Sequence, residues 1–154
     1  MKKLGIFFVC LLIVYGIAFA GSLITSKSIS SGWFETIKPS VTPPSLVFPI
    51  VWNILYFLIA LSLFIGWTKS KKNQKNKIAF AFGLNLALNL VWSVLFFGLK
   101  NPVLAFYEII VLWFSIAWMI YVSLKIDKKA GQLLIPYLVW VSCASILNYL
   151  SAFG

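Results

Sequence analysis

The stretch "KPSVTPPSLVFPIVWNILY", residues 38–56, runs from a lysine through Pro39, Pro43, Pro44 and Pro49 into a segment that is otherwise uniformly apolar. From Leu46 onward the apolar run continues to Trp67, close to the ~20 residues a helix needs to cross ~30 Å of hydrocarbon. Four further runs of that length follow the same pattern: Leu4–Ile24, Ile78–Leu99, Val103–Leu124 and Leu133–Phe153. The composition agrees, with 62% hydrophobic and 10% charged residues among 154 and a mean hydropathy of +0.99. So little polar surface cannot coat a water-soluble globule. The runs lack the two-residue alternation of an outer-membrane barrel. The expected fold is an all-α membrane protein, a single five-helix transmembrane bundle over residues 1–154, with a lid loop at about residues 25–44.

Lys2, Lys3, the first apolar run and "AFA" at 18–20 also fit a secretory leader with an A-x-A cleavage site. The run is at the long end for a leader, so it is read as the first span. A mature N-terminus at Gly21 would remove it.

All 13 basic residues are lysines, set against only Glu35, Glu108 and Asp127. Ten lie at one end of the predicted bundle, in the N-terminus, the second loop (68–77) and the fourth; three (Lys27, Lys38, Lys100) lie at the other. The positive-inside rule then places the N-terminus in the cytoplasm and the C-terminus outside. The charge is a topology signal that also favours anionic lipid, and no basic, aromatic-interleaved soluble surface exists for nucleic acid. There is no histidine, and Cys10 and Cys143 fall mid-helix without a C-x-x-C, so no metal site, imidazole-held haem or Ser-His-Asp triad is expected. Gly-rich phosphate loops are absent as well.

What the spans do carry is aromatic and amide chemistry. Helical periodicity puts Pro49, Trp52 and Tyr56 on one face of the second span and Asn85, Asn89, Trp92 and Phe96 on one face of the third. Tyr137, Trp140, Ala144 and Asn148 share a face of the fifth. Amides in hydrocarbon need partners, and indole N–H groups are donors mounted on flat rings. Such faces suit a planar apolar ligand bearing a carbonyl or carboxylate. Asn85, Asn89, Asn148, Ser93, Ser142 and Ser145 read equally as hydrogen-bonded glue between helices, and Trp67, Trp113 and Tyr121 as interfacial or lipid-facing aromatics. Glu108 faces the bundle, a cavity or a proton path, or is packed with an altered protonation state.

The prolines then read as shaping a mouth. Pro43 and Pro44 fit the first turn of the second helix, with Pro44 at its first position. Pro49 is expected to remove a backbone bond and bend that helix over a cavity. Lys38 beside it would meet an acidic ligand edge. In the third connection, Asn101 and Pro102 read as N-cap and first helical residue.

The segments "WFETIKPSVTPPSLVFPIVWNILY" (33–56), "ALNLVWSVLFFG" (87–98) and "PYLVWVSCASILNYL" (136–150) resemble the three signature segments of the tryptophan-rich sensory protein family, also called the translocator or peripheral benzodiazepine receptor family. The resemblance spans the chain. It implies five helices, frequent homodimers, and a pocket beneath the first loop for porphyrins and isoquinoline carboxamide or benzodiazepine-type ligands. Family pocket positions map onto Trp33, Pro43, Pro44, Trp52, Asn89, Trp92, Trp140 and Ala144, with Trp52 and Asn89 meeting a ligand carbonyl. Trp52 and Trp140 correspond to the residues linked to light-dependent protoporphyrin breakdown. Departures include Val41 where a tryptophan is usual, Trp33–Phe34 for a Trp–Tyr pair, a segment one residue short before Lys38, and Glu108 for an aspartate. No basic residue follows Tyr149, so specific cholesterol recognition is not expected.

Three functions follow as expectations: a tetrapyrrole-binding sensor, sequestering protein or carrier that needs no cofactor beyond its protoporphyrin-type ligand; a light- and oxygen-dependent protoporphyrin-degrading protein; or a transporter of small amphipathic solutes coupled through Glu108. Gly83 and Ala87 form a small-xxx-small pair that could serve as a homodimer seam.

Overall fold

In the computed structural model, which describes residues 2–154, five helices are long and apolar enough to cross a membrane, and there is no strand among the described residues. They are α1 (Lys2–Ser30), α3 (Val47–Lys69), α4 (Lys75–Ser93, prolonged by a π-helical turn, Val94–Gly98), α5 (Pro102–Leu124) and α7 (Ile135–Phe153). Two five-residue helices lie in the connections, α2 (Trp33–Ile37) and α6 (Lys128–Gln132).

The bundle packs around α5, which lies against α4 and α7, while α1 covers α3 and α4. Its interior is apolar and closely fitted, with Ile59, Phe82, Ile116 and Met119 all at most 1% exposed. Phe8, Phe19, Phe80, Phe114 and Ile146 face outward. A soluble protein of this size could not tolerate so much exposed apolar surface. In lipid that surface is solvated, and helix association rests on packing and on hydrogen bonds between helices.

Several boundaries differ from the sequence reading. The first helix continues past Ile24 to Ser30. The hydroxyls of Ser22, Ser26 and Ser30 each donate to the carbonyl three residues back (Phe19, Leu23 and Lys27), which satisfies these polar side chains within the helix rather than in competition with it. The helix stops where Gly32 takes φ 78°, a left-handed conformation that glycine adopts without cost. The lid is therefore shorter than the expected 25–44 and carries its own helix, α2.

The third span does not stay α-helical to its end. Residues 94–98 form a π turn, closed by Leu99 N–H donating to the Val94 carbonyl at 2.7 Å, and Lys100 then turns the chain at φ 53°. Asn101 caps α5 as expected, its side chain accepting from Leu104 N–H at 3.0 Å with Pro102 as first residue. The last helix begins at Ile135, not Leu133, and is preceded by α6.

The prolines also sit differently. Helix α3 starts at Val47, so Pro44 is not its first residue; the Pro44 carbonyl instead accepts from Val47 N–H at 3.0 Å in the turn before it. Pro49 is the third residue of α3. The first N–H groups of a helix have no intrahelical partner, so this proline removes no bond and gives the helix no reason to bend.

At the lysine-rich end the connections are tied together. Asp127 caps α6, accepting from Lys129 and Ala130 N–H at 2.9 and 3.2 Å, and pairs with Lys69 Nζ at 2.5 Å. Ser62 donates to the Ala130 carbonyl at 2.7 Å, fixing α6 on α3. The Lys69 hydrogen bond holds the Asp127 carboxyl below the usual carboxylate range; desolvation opposes it, and the Ala130 and Lys129 backbone donors and the Lys69 charge add to the lowering. A depressed folded-state pKa adds stability above the unfolded value, about 3.9, and loses it as pH falls through the folded value. We expect detergent-solubilised wild type to lose melting temperature on acidification below about pH 4 more steeply than Asp127→Asn. At neutral pH Asp127→Ala should melt below Asp127→Asn, which keeps an N-capping side chain.

Candidate functional site

A cavity of about 470 Å³ opens beneath the lid, between α1, α3, α4 and α7, with the buried Ile109 and Leu112 of α5 also lining it. Of the residues assigned to ligand binding from the sequence, Lys38, Pro43, Trp52, Asn89, Trp92, Trp140 and Ala144 line it. Trp33 and Pro44 are not in its wall. Trp33, the first residue of α2, packs edge-on against Phe96 at 5.8 Å, and Pro44 belongs to the turn before α3.

The walls are aromatic. Trp52 stacks on Tyr56 with ring centres 5.4 Å apart and planes 28° off parallel, and meets the Tyr137 edge at 6.2 Å. Trp140 meets Phe48 in a T-shaped contact at 5.8 Å. Trp92 stacks on Phe96 at 5.0 Å. The lid is clamped by Phe34, which packs against Phe96 and Phe97 at 6.2 and 5.7 Å, all three lining the cavity. The π turn supplies that clamp, since it leaves two consecutive phenylalanines buried on the same side of one helix.

Beneath the cavity runs a continuous thread of hydrogen bonds. Tyr56 donates to Asn89 Oδ1 (3.1 Å), Asn89 Nδ2 to the Tyr137 hydroxyl (3.1 Å), and Tyr137 to Asn85 Oδ1 (3.2 Å). Asn85 Nδ2 then donates to Ser115 (2.9 Å), and Ser115 to the Leu112 carbonyl (2.7 Å). Trp92 Nε1 donates to Asn148 Oδ1 at 2.9 Å, and Asn148 Nδ2 to the Pro102 carbonyl at 2.8 Å. The reading of the asparagines as glue between helices thus describes Asn85, Asn89 and Asn148, although Asn89 and Asn148 also face the cavity. Ser142 belongs to the glue as well, accepting from Trp113 Nε1 at 2.8 Å. Trp67 carries Lys75 Nζ over its ring at 4.5 Å, as an aromatic at the lysine-rich end would.

Lys38 lines the mouth but is not alone there; its Nζ pairs with Glu35 at 2.7 Å. In contrast, some polar atoms are covered and without partners, among them Thr42 Oγ1, Trp140 Nε1 and both carboxyl oxygens of Glu108. Glu108 is not in the cavity wall.

Sequence reasoning missed the α1 side of the cavity. Ala18, Gly21, Ser22 and Thr25 form it, and their small-residue spacing of three, one and three was the available signal. A methyl group at Gly21 would touch Ser93 Oγ at 3.4 Å, so the site is close-fitting there.

The TspO/MBR family model matches residues 8–152 of the chain. Among similar proteins, a tryptophan-rich protein TspO of Chlorobaculum tepidum is 38% identical over 91% of this chain and 89% of its own length. Another from Archaeoglobus fulgidus is 40% identical over 90% of both chains. The translocator protein of Ovis aries is 29% identical over 76% of this chain and 71% of its own.

The thread and the carboxyl should respond oppositely to mutation. Tyr137→Phe leaves Asn85 and Asn89 each short of a buried partner, and should cost about 1–3 kcal/mol in detergent unfolding. Adding Asn85→Leu should cost less than the sum of the single changes. Glu108→Met removes a buried group that has no partner, and should leave the melting temperature unchanged or raised.

Proposed function

The chain belongs to the TspO/MBR family, and on that premise we propose that it is a membrane receptor for porphyrin-type tetrapyrroles and isoquinoline carboxamide-type ligands. It holds them under the first loop for sensing, sequestration or carriage. The observation that carries this reading is the cavity itself, roofed by the lid and walled by Trp52, Trp92 and Trp140 from three helices. Its volume, about 470 Å³, lies in the range of small-molecule sites. A flat apolar ring system presents faces to such walls, and the indoles add stacking to simple burial. The name of a relative from Cereibacter sphaeroides, tryptophan-rich sensory protein, at 33% identity over 76% of this chain, supports the sensing variant. In this reading the tetrapyrrole is a ligand and no cofactor is needed. The chain sits in the bilayer as a homodimer, its N-terminus cytoplasmic, its lid and C-terminus on the outer side.

A second reading, light- and oxygen-dependent degradation of protoporphyrin, is favoured by one feature. Trp52 forms the wall and is in ring contact with Tyr56 and Tyr137, so oxidisable rings run from the cavity into the core. Dioxygen would be the oxidant, with the photoexcited porphyrin and Trp52 or Trp140 as its partners.

In the dark, protoporphyrin should quench the tryptophan fluorescence of the purified protein with a micromolar or tighter Kd; absence of saturable quenching would sink the binding reading. Under light, the second reading expects a new absorbing product that requires oxygen and is lost in Trp52→Phe or Trp140→Phe. Equal bleaching in anaerobic samples would exclude it.

A further inference from the structure

The proposed pocket must recognise something besides flatness, and the hydrogen bonds around it restrict which groups can do so. Asn89 uses its oxygen for Tyr56 and its nitrogen for Tyr137. The Trp92 indole is occupied by Asn148, whereas the Trp52 indole has no partner but is not covered, so a ligand relieves no burial cost there. Ser22 and Ser26 donate to backbone carbonyls of their own helix. Lys38 has Glu35 as a partner in an exposed pair, so its charge is met at the mouth before any anion enters.

Among the wall residues, two have a polar atom that is covered and has no partner: Thr42 Oγ1 in the lid and Trp140 Nε1 in α7. A donor left covered and unpaired costs about 1–3 kcal/mol, which an incoming acceptor can recover. An indole nitrogen is a donor only. Its complement is therefore a hydrogen-bond acceptor, such as a carbonyl or carboxylate oxygen, and not an ammonium cation. Thr42 lies in residues 38–46, a stretch with no helix of its own before α3, held near Thr42 by a single turn bond from Thr42 N–H to the Pro39 carbonyl at 3.1 Å. Rotation about its Cα–Cβ bond is enough to redirect the hydroxyl.

We infer that Thr42 and Trp140 are the donors that receive the ligand's acceptor oxygen, carbonyl or carboxylate, while Asn89 holds the helices together beneath. The inference rests on the cavity being the ligand site. It assigns specificity to the lid and α7, and makes the acceptor's charge secondary to its presence.

The test uses the full chain in detergent, in the dark, with porphyrin absorbance titrations of three probes: protoporphyrin, its dimethyl ester, and a porphyrin bearing only alkyl groups. Thr42→Val keeps the shape and removes the hydroxyl; Thr42→Ser keeps the hydroxyl and controls for lid folding. For protoporphyrin and its ester, Thr42→Val and Trp140→Phe should each raise Kd about threefold to tenfold, with Thr42→Ser near wild type. The all-alkyl probe should not respond to Thr42→Val, and should respond to Trp140→Phe only through lost stacking. The donor assignment is overturned if the variants weaken all three probes alike, if they weaken none, or if the acid binds and the ester does not. If wild type binds none of the probes, the site reading itself falls and takes the assignment with it.

Discussion

The structure depends on the buried thread from Tyr56 through Asn89, Tyr137 and Asn85 to Ser115. Beyond Tyr56, which only donates, each group in it accepts from one neighbour and donates to the next, and the surrounding hydrocarbon offers no substitute partner. Individually such bonds are modest in a membrane, about 1 kcal/mol. Their larger effect is on register. Apolar contacts among Ile59, Phe82, Ile116 and Met119 would survive a helix sliding by a turn, but the thread would leave several amides orphaned at once. Because α3, α4, α5 and α7 are locked this way, the positions of Trp52, one turn from Tyr56, and Trp140, one turn from Tyr137, follow. The thread is the floor on which the aromatic walls stand.

Much of this was legible in the sequence. The five spans are long apolar runs bounded by lysine or proline, and the three facing stripes follow from helical spacing, so Trp52, Asn89, Trp92 and Trp140 could be placed on inward faces before any coordinates. The cap at Asn101 was legible because an N-cap followed by proline is a local signal. The extension of α1 was not, because a serine-rich segment reads as loop until its hydroxyls are seen bonding back to the helix. Helix α2 has five residues, too few for a period to show. Pro49 was misread for a related reason. Its effect depends on where the helix begins, and a shift of three residues turns a kink into an ordinary helix start.

The bond partners were the least legible part. Spacing placed Asn89 toward a pocket and equally toward its neighbours, and only the assembled bundle shows both ends of that amide occupied by tyrosines from two other helices. Lys38 is a similar case; a lone lysine beside a mouth suggests an anion, yet Glu35 lies three residues earlier and in reach once α2 forms.

The π turn at Val94–Gly98 gives the chain a degree of geometric slack. A wider turn accommodates one more residue than the α-helical path would need. The amide-bearing half of α4 and the phenylalanine-bearing half can therefore be aimed separately, one at the bundle floor and the other at the lid. Each residue of a helix carries about 100° of rotation, so the same surplus also sets the direction in which the chain leaves for Asn101 and α5. Removing one residue within 94–98 would remove that surplus and let the segment close as an ordinary α-helical turn, so Phe96 and Phe97 could not both keep their places against Phe34, while the residues of the cavity floor stayed where they are.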